Sequence, residues 1–232
     1  METSLKNKKI LITAGPTREY IDPVRFISNE SSGKMGYAIA EALHQMGADV
    51  ILISGPVSIT SSFPKNKIVS VMSGNQMYEA CQKHFENIDV AIFCAAVADY
   101  KAKNTSVIKI KKIENETTLE LEKNVDIAFE FGKVKTENQK SVGFALETNN
   151  IHENAVDKLK KKNFDLIVVN SPNVNEGFGY DTNKITIVDK NLSLFSFPLK
   201  NKKEVALDIL THLKNSYNII EEENNHLVNN LI

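Results

Sequence analysis

The chain has 232 residues, 42% hydrophobic and 25% charged, enough for a sizeable buried core. Its 28 Lys and Arg nearly cancel its 29 Asp and Glu, for a net charge of -1, so no global field steers it to nucleic acid or an anionic membrane. Its two cysteines, Cys81 and Cys94, are too few for a secreted disulfide scaffold and lack metal-ligand spacing, so both read as reduced, packed thiols. The opening residues are charged without an apolar signal segment, and no apolar run is long enough to span a bilayer. A cytoplasmic protein is expected.

Residues 10–13 form a short apolar run suited to a buried parallel strand, which Gly15 and Pro16 end. A long polar stretch follows, and then residues 31–36 open a helix over 37–46, with Ser31 or Ser32 as the expected cap. Residues 49–53 and 67–71 read as strands. Residues 74–85 read as a helix with Met77, Cys81 and Phe85 on one face. The strand at 89–94 runs straight into Ala95, Ala96, Val97, Ala98 and Asp99. Residues 101–116 break the pattern and read as an excursion, a hairpin or a flap, and 119–122 alternates like a half-exposed strand. Next come a helix at 125–133, a strand at 141–146, a charged helix at 150–162 and a strand at 164–170. A turn-rich loop over 171–181 leads to an antiparallel extension at 183–189 and 193–197, a closing helix at 202–217 and a loosely ordered polar tail. This alternation predicts a three-layer α/β fold, Rossmann-like, with a mainly parallel sheet, an antiparallel extension and a flap. One domain over 1–217 and a tail over 218–232 are expected.

The connection after the first strand is long for a βα loop and lies at the carboxyl end of a strand, where open α/β sheets bind ligands. Gly15, Thr17 and the glycine-bearing start Ser31-Ser32-Gly33 would present backbone N–H groups and a positive dipole end to a phosphate. The spacing is neither a dinucleotide fingerprint nor a P-loop, because Lys34 is followed by Met35. Arg25 suits a phosphate or carboxylate, and Asn29 a carbonyl or developing oxyanion, although a turn-forming Asn is an equal reading. Small residues at Ala95 and Ala96 admit a ligand to the backbone, or simply pack closely. Asp99 suits a base, a sugar hydroxyl or Mg²⁺. Lys109, Lys111 and Lys112 lie on the excursion. Lys158 and Lys162, four apart on a helix, share one face that suits a polyphosphate, against a default of solvated surface.

In order along the chain, Thr13 to Glu19, Asp22 to Arg25, Ile27 to Asn29, Ser31 to Gly36, Ala95 to Tyr100, Lys109 to Lys112, Lys123-Asn124, Val142 to Ala145 and Glu147 to Asn150 resemble the phosphopantothenate–cysteine ligase family, also called phosphopantothenoylcysteine synthetase. The resemblance runs to about Tyr217. It implies a Rossmann-like dimer that uses CTP, with Mg²⁺ assisting, to activate 4'-phosphopantothenate as an acyl-cytidylate with release of pyrophosphate. The amine of L-cysteine then takes the acyl group. It further implies that Asn29 steadies the acyl-cytidylate, that Arg25 and Ala96 bind it, and that Lys109 closes over it on the flap. Asp99, Phe144, Lys158 and Lys162 would line the nucleotide site, with Val125, Asp126, Ile127 and Ala128 at an adjoining helix start. The metal ligands stay open. Family members commonly carry Pro where this chain has Val125, at what reads as a first-turn position. Bacterial members are often fused behind a phosphopantothenoylcysteine decarboxylase, a half not found here, so the chain is either stand-alone or part of a fusion. The competing readings are an NAD(P)-dependent reductase, which lacks an acidic residue after the second strand, and a binding-only member.

Overall fold

The computed structural model describes residues 5–111, 118–146, 150–170 and 179–217. Lys112, Glu147 to Asn149, most of the turn-rich loop and the tail at 218–232 lie outside the described residues.

The chain opens with β1 (Lys9–Ala14), the short strands β2 (Arg18–Tyr20) and β3 (Phe26–Ser28), helix α1 (Lys34–Gln45) and β4 (Asp49–Ser54). Next come β5 (Ile68–Ser70), α2 (Gly74–Phe85), β6 (Val90–Phe93), β7 (Tyr100–Ala102), β8 (Leu121–Lys123) and α3 (Ile127–Val134). The remainder is β9 (Lys140–Leu146), α4 (Ile151–Lys161), β10 (Leu166–Asn170), β11 (Thr182–Asn183), β12 (Ile185–Asp189), β13 (Leu194–Ser196), β14 (Lys200–Asn201) and α5 (Lys202–Tyr217).

Eight strands form one sheet in the order β13-β12-β10-β9-β6-β1-β4-β5. The six from β5 to β10 are parallel, and β12 and β13 add antiparallel at one edge. From β1 the chain builds outward through β4 and β5 on one side, then returns to add β6, β9 and β10 on the other. The ends of β1 and β6 therefore flank the crevice where a doubly wound sheet takes its ligand.

Both faces of the sheet are covered, which explains the nearly unbroken apolar runs. On one face Ile10, Ile12, Leu52, Ile92 and Val168 pack with α1 and with Val205, Ile209 and Leu213 of α5. On the other, Leu11, Ala91, Ile167 and Val169 pack with α2, α3 and α4 through Met77, Cys81, Phe131 and Leu159. Full burial of each such side chain is worth about 1.5–3 kcal/mol, so these two cores dominate stability. A buried ion pair, Lys135 Nζ to Asp165 Oδ2 at 2.5 Å, ties the end of α3 to the start of β10. No helix among the described residues is long and apolar enough to cross a membrane.

Several expectations change. Helix α1 starts at Lys34, and its cap is Gly33 in the left-handed region (φ 77°), a conformation that would strain any residue carrying a side chain there, so neither Ser31 nor Ser32 is the cap. Instead, Ser31 Oγ accepts from the Gly33 N–H at 3.3 Å. The polar stretch contains an antiparallel hairpin, β2 with β3, and β11 pairs with β14 in a second small ribbon. The excursion is a hairpin at its base, where β7 pairs with β8. Helix α3 begins at Ile127 with Asp126 as cap, so Val125 precedes the cap rather than occupying the first turn. Its N–H donates to Asn124 Oδ1 at 3.0 Å, a bond a proline there would lack.

On α5, the His212 ring lies 4.3 Å from that of Phe195, with Nε2 buried and without a hydrogen-bond partner among the described residues. Burial lowers its pKa from the ordinary 6.5, with Asp189 opposing. The unfolded chain therefore takes this proton more readily than the folded one. The contribution of His212 is complete above 6.5 and is lost as pH falls toward the lower folded value. Thermal melts at pH 7.5 and 5.5 should show His212→Phe losing less melting temperature than wild type over that interval. Parallel losses would remove His212 from the acid sensitivity.

Candidate active site

A cavity of about 690 Å³ opens at the carboxyl ends of β1, β6, β9 and β10, beside the point where the strand order reverses. One wall is the run 95–98, held almost entirely through its main chain. The Ala95 N–H donates to Thr13 Oγ1 (3.3 Å), the Ala96 N–H to the Gly15 carbonyl (2.9 Å) and the Ala98 N–H to Thr17 Oγ1 (3.1 Å). Asn29 clasps the same run from the cavity side, its Nδ2 donating to the carbonyls of Ala96 (3.3 Å) and Val97 (3.1 Å). Asn124 Nδ2 closes the far end on the Ala98 carbonyl at 3.0 Å. Three of the four side chains are alanine methyls, so little bulk stands between this backbone and the space.

Opposite this run stand two helix starts. Ser31, Ser32 and Gly33 lead into α1, which has no side-chain cap on its first N–H groups. Val125 to Ala128 lead into α3, where Asp126 accepts from the Phe129 N–H at 3.2 Å and pairs with Lys162 at 2.9 Å. Lys158 also lines the cavity, as do Phe144 and Asp99. Fourteen of the sequence candidates thus share one space: Asn29, Ser31, Ser32, Gly33, Ala95, Ala96, Asp99, Val125, Asp126, Ile127, Ala128, Phe144, Lys158 and Lys162.

Four candidates lie elsewhere. Gly15 and Thr17 stand behind the wall and support it, Thr17 being fully buried. Arg25 lies in the turn of the β2–β3 hairpin, paired to Asp22 at 2.8 Å and donating to the Ile110 carbonyl at 2.6 Å. Burial alone would raise the Asp22 carboxyl, but the N–H groups of Val24, Ile110 and Arg25 and the Arg25 charge hold it below the ordinary carboxylate value. Lys109 is exposed on the excursion, which is tied to the same hairpin through Ser106 N–H to the Ile21 carbonyl (2.9 Å) and Ile110 N–H to Asp22 Oδ2 (3.1 Å).

Sequence reasoning missed Lys34, Asn170, Asn183 and Lys202, which line the cavity near the start of α1. They come from four elements up to 168 positions apart, and no local motif links them.

Gly55, just past β4, comes so close to the loop after β1 that a Cβ there would sit 1.7 Å from the Pro16 carbonyl oxygen. Pro16 in turn bridges to Ala96. Gly55→Ala should therefore cost about 2–3 kcal/mol of unfolding free energy in urea titration and weaken any ligand bound at the wall. An unchanged midpoint would show that the loop gives way freely.

Burial raises the Cys94 thiol in the cavity to about 12, with the Lys202 charge opposing, so it stays protonated and is no nucleophile at neutral pH. At the end of β4, Ser54 accepts from the Tyr37 hydroxyl (3.0 Å) and donates to the Gly55 carbonyl (2.8 Å), where a dinucleotide fold would place a ribose-binding acid. What remains is a wall of backbone, two helix starts and several lysines, an arrangement suited to binding and neutralising a polyanion.

Residues 5–217 match the profile of the DNA/pantothenate metabolism flavoprotein C-terminal domain. The chain belongs to this family. A relative from an unknown prokaryotic organism, named cysteine/cysteine sulfinic acid decarboxylase, is 49% identical over 210 residues, covering 90% of this chain and 58% of its own. The coenzyme A biosynthesis bifunctional protein CoaBC of Bacillus subtilis (strain 168) is 47% identical over 215 residues, covering 91% of this chain and 53% of its own. The crystal structure of the C-terminal domain of a coenzyme A biosynthesis bifunctional protein CoaBC superposes with a TM-score of 0.78 at 44% identity, covering 92% of this chain and 97% of that one. This member of the DNA/pantothenate metabolism flavoprotein C-terminal domain family thus spans little more than half the length of the full-length relatives it matches.

Proposed function

We propose that this chain is a ligase of coenzyme A biosynthesis that joins 4'-phosphopantothenate to L-cysteine, giving 4'-phosphopantothenoylcysteine through a phosphopantothenoyl-cytidylate. In the first step the substrate carboxylate attacks the α-phosphorus of CTP, the bond to the β-phosphate breaks, and pyrophosphate leaves. In the second the cysteine amine attacks the acyl carbon, its proton is released, and the acyl–oxygen bond breaks to free CMP. The observation that carries this reading is a cavity that offers backbone and positive charge but, among the described residues, no poised side-chain nucleophile. Acyl-nucleotide chemistry needs positioning and charge neutralisation rather than a covalent enzyme intermediate. The family match and the likeness to a bifunctional protein of coenzyme A biosynthesis support the same assignment.

Within this reading, Asn29 steadies the acyl-cytidylate from its place over the Ala96 and Val97 carbonyls, and the 95–98 backbone holds it. Asp99, Phe144 and the α3 start receive the nucleotide, with Lys158 and Lys162 beside them. Lys109 must swing in with its excursion. Arg25 can reach the intermediate only by leaving Asp22 and Ile110 or from a second copy of the chain. A homodimer through the two hairpins fits their exposed apolar side chains, Val107 (90% exposed), Ile108 (73%) and Val24 (57%). Association with a phosphopantothenoylcysteine decarboxylase, fused or separate, fits the bifunctional relatives. The described residues hold no group of three candidate metal ligands, while Asp99 and Asp126 line the cavity. That donor set fits a Mg²⁺ carried mainly on nucleotide phosphates, whose charge it would neutralise.

Pyrophosphate release with 4'-phosphopantothenate tests the assignment. CTP should support it, ATP should not, and cysteine should be required for CMP to appear. Binding of NAD(P) without binding of CTP would overturn it in favour of a reductase.

A further inference from the structure

Lys34 and Lys202 are the first residues of α1 and α5, the two helices that cover one face of the sheet, and both line the cavity. The Lys34 ammonium contacts Asp181 Oδ1 at 2.6 Å and the Gly179 carbonyl at 3.1 Å. The Lys202 ammonium donates to the Tyr180 carbonyl at 2.6 Å and is 7% exposed as a residue. Both ammonium groups reach one three-residue segment, 179–181, through the Gly179 and Tyr180 carbonyls and the Asp181 carboxylate. Burial, and then the Lys34 charge, lower the Lys202 pKa, with Cys94 and Asp181 opposing, so two like charges meet at this end of the cavity.

Beside them, Asn183 is only 3% exposed and lines the same cavity, yet its Oδ1 has no partner among the described residues. A buried amide oxygen without a bond is costly. The group can turn to offer NH₂ to an anion. The uncapped start of α1 adds N–H groups at the same end.

We propose that Lys34 and Lys202, with Asn183, hold the β- and γ-phosphates of the nucleotide and the pyrophosphate that leaves, and that the Asp181 carboxylate stands in for them when the site is empty. This rests on the ligase reading above. It assigns the leaving group to the α1–α5 end of the cavity, apart from the Lys158 and Lys162 face. Binding of the nucleotide then exchanges Asp181 for phosphate on Lys34, which frees the 179–181 segment.

The test compares inorganic pyrophosphate, CTP and CMP as ligands of the full chain by calorimetry, for wild type, Lys34→Gln, Lys202→Gln and Asp181→Asn. Each lysine variant should weaken pyrophosphate and CTP by about tenfold or more and leave CMP, which lacks those phosphates, within about twofold. Lys202→Arg should restore much of the loss. Asp181→Asn should tighten pyrophosphate several-fold, because the competing carboxylate is gone. Equal losses for CTP and CMP, or unchanged pyrophosphate binding in a folded Lys34→Gln, would overturn the assignment. Should buried Lys202 be needed for folding, Lys34→Gln decides alone, since its side chain is one-third exposed (33%). Wild type that binds pyrophosphate but neither CTP nor CMP would sink the ligase reading and leave the anion site standing. Failure of the lysine variants alone would do the reverse.

Discussion

Asn29→Asp should still release pyrophosphate from CTP and 4'-phosphopantothenate, while amide formation falls about 100- to 1000-fold and the acyl-cytidylate accumulates. The side chain donates two hydrogens to the carbonyls of Ala96 and Val97, and aspartate has none to give. Its negative charge would face two carbonyl oxygens and repel the oxyanion that forms when an amine attacks. The first half-reaction makes its charge at phosphorus, farther from this group, and so suffers less. Rapid quench with mass spectrometry would separate the two steps. Wild-type rates in both would take Asn29 out of the chemistry and leave it a loop clasp.

For Lys109→Gln the expected result is a loss of about 100-fold in kcat with the melting temperature unchanged. Lys109 is exposed and outside the cavity, so its removal disturbs no packing. Its value would come from a positive charge arriving over the phosphates as the excursion closes. The route is constrained, because the adjacent Ile110 is held by Asp22 and Arg25. Turnover and thermal melts on one preparation settle the matter: normal kcat would exclude the lysine, and a lowered melting point would mean that it is structural.

The parallel sheet could be read from the chain because its central strands are buried on both faces, so Ile10 to Ile12, Val90 to Phe93 and Leu166 to Val169 leave unbroken apolar marks. The hairpin of β2 and β3 left none. Its strands are three residues each, with polar Arg18, Glu19 and Ser28 among them, and tertiary bonds such as Arg18 N–H to the Met72 carbonyl (2.8 Å) hold it in place. The cap of α1 was misassigned because Ser31 and Ser32 have favoured chemistry, while the deciding fact is the left-handed backbone at Gly33.

The same contrast runs through the cavity. Asn29, Ala95 to Asp99 and the α4 lysines sit in contiguous segments or at helical spacing, which a linear reading detects. Lys34, Asn170, Asn183 and Lys202 meet only because β10, the β11–β14 ribbon and two helix starts converge in space. Arg25 has the right chemistry for an anion, yet the fold turns it toward Asp22. Residue type suggested its role, and only topology reveals its neighbours.

The 95–98 wall has a practical consequence for inhibition. A compound that gains its affinity from main-chain carbonyls there, each able to accept a second hydrogen bond, meets atoms present whatever residue is encoded. Codon changes can narrow the recess by adding bulk, but they cannot delete the groups being gripped. Bulk there would equally narrow the space left for the cavity's own ligand.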